Sequence, residues 1–335
     1  MNDKITLAHG AGGKLSQKLM RDVILPAFDN EILRELHDGA VLDRLEGRLV
    51  FTTDSYVAKP IFFAGGDIGK LAITGTINDL AMSGAMPKYI SVGLILEEGF
   101  ELETLKKILE SMSKAAKEAG VPIVTGDTKV VGHGQCDGIF INTAGVGEMI
   151  EGVNITVKNV LPTMKILING TIGDHATAII AGRHGLTLPD SVTSDCAPLH
   201  DLVRAMLEAE PGIVMMRDPT RGGLASTLNE IAQAANVGIM LDENKLPIRN
   251  EVKGVCQLLG FDVLELANEG KVLAVVPMGS VARVLSAMRK HKLGRQAAVI
   301  GDVVREPRGK VGLRTVIGTT RAVDMPVGVI VPRIC

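Results

Sequence analysis

The chain has 335 residues, too long for one ordinary domain and comfortable for two. Its formal net charge of -2 at pH 7 provides no global basic field to hold nucleic acid, and its apolar runs are too short and too often broken by Gly, Asp or Lys to span a bilayer. Hydrophobic residues make up 46% and aromatic ones 3%, so sizeable cores must be packed from small and aliphatic side chains.

Met1-Asn2-Asp3-Lys4 does not resemble a secretory leader. The four cysteines, Cys136, Cys196, Cys256 and Cys335, show no C-x-x-C, so a reducing cytoplasm is the expected setting. His9 to Lys14 holds too many glycines for regular structure; it fits a flap over phosphates and a loose terminus equally. A helical pattern runs from Leu15 to Phe28. Arg48 to Thr53 predicts a strand that delivers Asp54 at its end. Ala64 to Asp67 is a turn, and Ile68 to Ser83 a helix. Glu101 to Ala119 is the clearest helix: Leu102, Leu105, Ile108, Leu109, Met112 and Ala116 share a face, and Gly120 stops it. Strands are expected at 121–124 and 139–147.

The pattern loosens around Glu151 to Leu161, which places a domain boundary there. The expectation is an N-terminal domain over 1–150, a second over 151–322 and a flexible, extended tail over 323–335. The second half reads as a strand at 165–169, helices from His175, at 197–209, 223–235 and 280–291, and strands at 271–276, 298–304 and 311–317. Strands and helices intermix without a clean βαβ repeat, which means α+β or mixed α/β.

Acidic residues at Gly-rich turns are the strongest local pattern: Asp38 before Gly39, Asp54 after Thr53, Asp127 after Gly126, and Asp218 opening Asp218-Pro219-Thr220-Arg221-Gly222-Gly223. Carboxylates so placed suit a hard cation such as magnesium holding a triphosphate; each also fits ordinary turn and capping chemistry. Asp79 differs, because an Asn78-Asp79 pair inside an apolar helix is awkward unless something uses it. Gly65-Gly66-Asp67-Ile68-Gly69-Lys70 and Arg221-Gly222-Gly223 each open a helix and could meet a phosphate, although neither is a Walker loop. The histidines show no zinc spacing. Cys335, the last residue of the sequence, follows a Pro- and Gly-containing tail and looks like the tip of a swinging arm.

Several segments together resemble the HypE family of hydrogenase-maturation proteins: Thr52-Thr53-Asp54-Ser55-Tyr56, Phe62 to Ala72, Asn78-Asp79-Leu80-Ala81, Val124 to Val131, Asp218 to Gly223, Asn268-Glu269-Gly270 and Pro332-Arg333-Ile334-Cys335. The resemblance implies the two-domain fold shared with aminoimidazole ribonucleotide synthetase, with the N-terminal domain forming a homodimer and ATP near the subunit interface. It implies that Asp38, Asp54, Asp79 and Asp218 hold magnesium and phosphates. Phe63, Asp67, Ile68, Gly69, Asn78, Asp79, Gly126, Asp127, Thr128, Arg221 and Gly222 would contact the nucleotide. Lys129 would touch phosphate or substrate, Glu269 would be a base, and Cys335 would carry the substrate. The implied reaction is ATP-dependent dehydration of a carbamoyl group on Cys335 to a thiocyanate. A carbamoyltransferase maturation protein would supply the group, and an iron-carrying scaffold complex would accept the cyanide. The same fold also hosts selenophosphate synthetases and small-molecule kinases, and a non-catalytic carrier using Cys335 is a further alternative.

Overall fold

A computed structural model describes residues 4–189 and 191–327. Cys335 lies outside the described residues.

The chain enters through α1 (Lys14–Leu19), a π-helical turn (Met20–Ile24), α2 (Leu25–Phe28) and α3 (Glu31–Arg34). The single helix expected over Leu15 to Phe28 is thus interrupted, with Pro26 near the start of α2, where its missing N–H removes a helical hydrogen bond. Then follow β1 (Leu49–Tyr56), the short β2 (Phe62–Phe63) and β3 (Gly66–Asp67), α4 (Ile68–Met82), β4 (Ala85–Glu97), α5 (Leu102–Ala119), β5 (Ile123–Val131) and β6 (Ile139–Met149). The main strands form one sheet in the order β1-β6-β4-β5.

Two departures from the sequence reading matter. Asp54 is not at a strand end: β1 continues to Tyr56, paired with β6 through Tyr56↔Ile141. The sequence reading does not predict the central strand β4, whose alternation is broken at Pro87 and Lys88. The structure absorbs Pro87 in a register shift between Pro87 and Tyr89.

α4 is the axis of this half. Every one of its residues except Lys70 and Asp79 is buried. Asp67 caps it, its Oδ1 accepting from Gly69 N at 2.7 Å and Lys70 N at 3.1 Å. Gly69 lets α5 approach, since a Cβ there would stand 2.6 Å from Ile108 O. α5 presents its expected stripe inward; Leu105, Ile108, Leu109 and Met112 are at most 1% exposed, each worth about 1.5–3 kcal/mol of burial. Gly120 ends it at φ 67°.

The second half holds β7 (Lys165–Ile168), α6 (Asp174–His184), α7 (His200–Ala209), β8 (Met215–Arg217), α8 (Gly223–Ala235), β9 (Gly238–Asp242), α9 (Asn250–Leu259), β10 (Leu273–Val276), α10 (Val281–Lys290), β11 (Ala298–Val304), β12 (Val311–Arg314) and β13 (Thr320–Ala322). Its seven-stranded sheet runs β13-β12-β9-β11-β7-β10-β8. Alternation along β7 sends Ile166 and Ile168 to the core under α8, and Leu167 to the core under α7 and α10. β9 and α9 were not expected. α6 and α9 join the core of the N-terminal half through Ala176, Ile179, Ile180, Val252 and Cys256. The chain is therefore mixed α/β in two halves that share a packed junction. Among the described residues no helix is long and apolar enough to cross a membrane.

Candidate active-site cleft

The two halves leave between them a cleft of about 550 Å³. β1 contributes Thr52 and Asp54, α4 contributes Gly75 and Asp79, β8 ends in Arg217, the β8–α8 connection contributes Asp218 and Arg221, and Glu269 comes from the loop before β10.

Each side chain is delivered by local chemistry. Asp79 is one turn beyond Gly75 on the same face of α4 and accepts from Thr52 Oγ1 at 2.9 Å. The Asp218 loop turns sharply because Gly222 (φ 71°) and Gly223 (φ 56°) take left-handed backbone; a Cβ on Gly223 would meet Leu266 O at 2.4 Å. Asn268 pins that loop from beneath. Its Nδ2 donates to Pro219 O and Leu266 O, each at 3.0 Å, while Oδ1 accepts from Gly173 N at 2.8 Å.

Four carboxyl groups therefore converge. Burial holds Asp79 above its ordinary pKa and Asp54 adds to this, against the Thr52 hydrogen bond and the guanidinium groups of Arg217 and Arg221. Burial, then the charge of Asp79, pushes Asp218 up to about 7. Burial lifts Glu269 well above the carboxylate range, with Asp218, Asp195, Asp54 and Asp79 all contributing. Such crowding favours a bound cation or a shared proton. Among the described residues no three His, Cys, Asp or Glu side chains are gathered closely enough to hold an ion unaided. Magnesium commonly takes one or two carboxylates and completes its shell with phosphate and water, so one or two of Asp54, Asp79 and Asp218, together with a nucleotide, would suit that ion.

The remaining expected residues are placed elsewhere. Phe63, Asp67, Ile68 and Gly69 sit at the opposite end of α4, about 16 Å from Asp79 along the helix. Phe63 packs edge-on against His175 at 5.5 Å, and Ile68 is fully buried. Gly126, Asp127 and Thr128 line a separate groove of about 170 Å³ with His37 and Gly39, the neighbours of the exposed Asp38. Asp38 thus stands with the Asp127 strand and apart from the other three expected metal ligands. Asp127 and Lys129, paired with Gly93 and Ile95, fall on the sheet face turned from α4. Asn78 reaches the second half: Nδ2 donates to Ala197 O at 3.2 Å and Glu269 O at 3.1 Å, and Oδ1 accepts from Leu199 N at 2.8 Å. Gly222 is the turn residue before α8.

Thr52, Asp195 and Arg217 escaped sequence reading; Arg217 closes β8 and lines the cleft beside Asp218. Thr52 orients Asp79, and only the β1–α4 packing reveals it. Asp195 accepts from Glu269 N at 3.0 Å and pairs with Lys271 at 2.8 Å; no short spacing links residues so far apart. Near the end of the described chain, Val323 is tied down by Asn229 Nδ2, which donates to Val323 O at 2.8 Å. Asn229 is six residues along α8 from Gly223, about 9 Å.

The fold is that of the two-domain AIR synthase related class. The AIR synthase related protein N-terminal domain model matches residues 36–149 and the corresponding C-terminal domain model residues 162–314. Carbamoyl dehydratase HypE of Cupriavidus necator is 49% identical over 99% of this chain and 95% of that one. A crystal structure of the hydrogenase maturation protein HypE in complex with ATP superposes with a TM-score of 0.95 at 45% identity, covering 98% of this chain and 99% of that chain. HypE in a crystal structure of a HypE–HypF complex gives 0.81 at 47% identity, covering 92% and 99%. The chain belongs to the HypE carbamoyl dehydratase family, a family of hydrogenase-maturation enzymes.

Proposed function

We propose that this chain uses ATP to dehydrate an S-carbamoyl group on its own Cys335 to a thiocyanate, the source of the cyanide ligand placed on the iron of [NiFe]-hydrogenase. The observation that carries this reading is the convergence of Asp54, Asp79, Asp218 and Glu269, with Arg217 and Arg221, in one cleft between the two halves.

The carbamoyl oxygen is a poor leaving group. Its attack on the γ-phosphorus of ATP expels ADP and leaves, after loss of one nitrogen proton, an O-phosphorylated imidate. Cleavage of the C–O bond then releases phosphate as the remaining nitrogen proton departs, giving S–C≡N. Magnesium held by one or two of Asp54, Asp79 and Asp218 would neutralise charge on the transferred phosphoryl group. Arg221 is placed at the cleft to meet phosphate oxygens. Glu269, whose carboxylate is made more basic than an ordinary one by burial and by the neighbouring carboxyl groups, suits a group that receives the nitrogen protons. Lys129 is assigned a contact with phosphate or substrate.

Cys335 can reach the cleft on its own chain. Twelve residues follow Val323, a length that extended would span at most about 40 Å. A homodimer is assigned to the sheet face turned from α4, where Phe51 is 70% and Leu49 65% exposed. Nucleotide contacts by Asp127 would then lie at the subunit interface. The carbamoyl donor is a maturation protein of the HypF kind, the cyanide acceptor an iron-carrying scaffold complex, and the setting the cytoplasm.

The test is intact-mass measurement after incubation with the carbamoyl donor system and ATP. Carbamoylation followed by ATP-dependent loss of one water is expected. Full conversion by an Asp79→Asn variant would overturn the assignment of the cleft.

A further inference from the structure

Glu269 is held through its main chain, not through its carboxyl group. Its N–H donates to Asp195 Oδ1 at 3.0 Å, and its carbonyl accepts from Asn78 Nδ2 at 3.1 Å. The next carbonyl, that of Gly270, accepts from Asn169 Nδ2 at 3.2 Å. Gly270 lies directly against the Asp195 backbone: a Cβ would fall 1.8 Å from Asp195 O. The two loops are therefore locked in one register around Glu269.

Asp195 is itself fixed. Its Oδ2 pairs with Lys271 Nζ at 2.8 Å, with side chains only 6% and 9% exposed. Its neighbours on both sides are also tied: Ser194 Oγ lies 2.7 Å from His175 Nδ1, and Cys196 Sγ lies 2.9 Å from Thr74 Oγ1. A buried ion pair of this kind is a poor source of stability, since a well-packed apolar pair commonly does as well. What an apolar pair could not do is accept the Glu269 N–H.

We infer that Asp195, oriented by Lys271, is a positioning residue for Glu269: it fixes the peptide that carries the acid–base carboxyl group into the cleft. The inference rests on the reading of Glu269 as the group that takes the nitrogen protons. Asp195 lies behind the cleft and acts only through Glu269. A displacement of the order of 1 Å at a reacting group is enough to lower a rate about 100-fold.

The experiment uses the full chain, carbamoylated at Cys335, and measures the single-turnover rate of ATP-dependent water loss and the ATP concentration giving half of it. Asp195→Ala is expected to slow turnover about 100-fold with ATP half-saturation unchanged within about twofold. Asp195→Asn, which keeps the Oδ1 acceptor, is expected to restore most of that loss. The apolar pair Asp195→Leu/Lys271→Met keeps a packed junction and removes the acceptor; it should melt near the wild-type temperature and be as slow as Asp195→Ala. On a Glu269→Gln background, Asp195→Ala should slow the residual rate less than about twofold, because its effect runs through Glu269. An apolar pair of full activity, or an Asp195→Ala loss undiminished on the Glu269→Gln background, overturns the positioning role. A Glu269→Gln variant of undiminished rate instead overturns the reading of Glu269 itself.

Discussion

Replacing Asp218 by Asn is expected to stabilise the nucleotide-free protein, and to do so more strongly at alkaline pH. Burial, then Asp79, raises the Asp218 carboxyl from its ordinary 3.8 to about 7. A carboxyl raised on folding contributes stability that is fully present below the unfolded value and is lost as pH rises through the folded one. Each pH unit between the two values is worth about 1.4 kcal/mol, so the ionised group costs up to about 4 kcal/mol once the pH exceeds 7. Asp218 is partly open to solvent along the cleft wall, and screening there brings the figure to roughly 2–4 kcal/mol. For a protein of this size that corresponds to a rise in melting temperature of roughly 3–6 °C. Asn keeps the shape and removes the charge. Thermal melting of wild type and Asp218→Asn, without nucleotide, at about pH 5 and about pH 8 tests this. The gap should widen from about 1–2 kcal/mol at the acid end to its full value at the alkaline end, while ATP-dependent turnover of the variant collapses. A variant that melts no higher than wild type at about pH 8 would refute the electrostatic reading of the cleft.

Further outcomes follow from the same geometry. His175 is fully buried and pushed down to about 4 by that burial, so stability should fall as pH drops from 6.5 through 4, and His175→Gln should flatten that slope in acid melting curves. Asn78→Ala leaves the backbone groups of Ala197, Leu199 and Glu269 without partners and should cost about 3 kcal/mol in urea unfolding. Asp67→Ala removes the cap of α4 and should cost about 1 kcal/mol, and Asp67→Ser should recover most of it; if Asp67 acts only as a cap, ATP half-saturation will follow neither change. Gly270→Ala should fail to give soluble protein, because the added methyl overlaps the Asp195 carbonyl; a well-folded Gly270→Ala variant would show that the two loops can part.

The sequence made some of this legible for definite reasons. α5 was readable because one face is buried and the other is wet, so its apolar residues recur with the helical period. β4 was not, because Pro87 and Lys88 break the pattern near its start, although Ile90, Val92, Leu94 and Leu96 alternate beyond them. Asp79 was the best single pointer to the cleft. It stood out as a charge in an apolar helix, and the structure leaves it and Lys70 as the two α4 residues that are not buried. Residue type could not sort the other acidic turns. Asp54 joins Asp79 because β1 runs on past it and faces α4, whereas Asp38 falls beside Asp127; both placements depend on sheet register, which no local spacing encodes. Asn78 read as a nucleotide contact, yet its side chain spans the junction between the halves, an outcome set by long-range packing alone.

The tether at Val323 also bears on how far the chain end can vary. If Cys335 visits the cleft as proposed, the attachment to Asn229 sets where its tether begins. The local concentration of a tethered thiol falls only as about the three-halves power of tether length, so about ten inserted residues after Val323 would dilute Cys335 at the cleft no more than roughly threefold. Loosening the mooring at Asn229 would do more harm, because the leash would then start from a point that wanders.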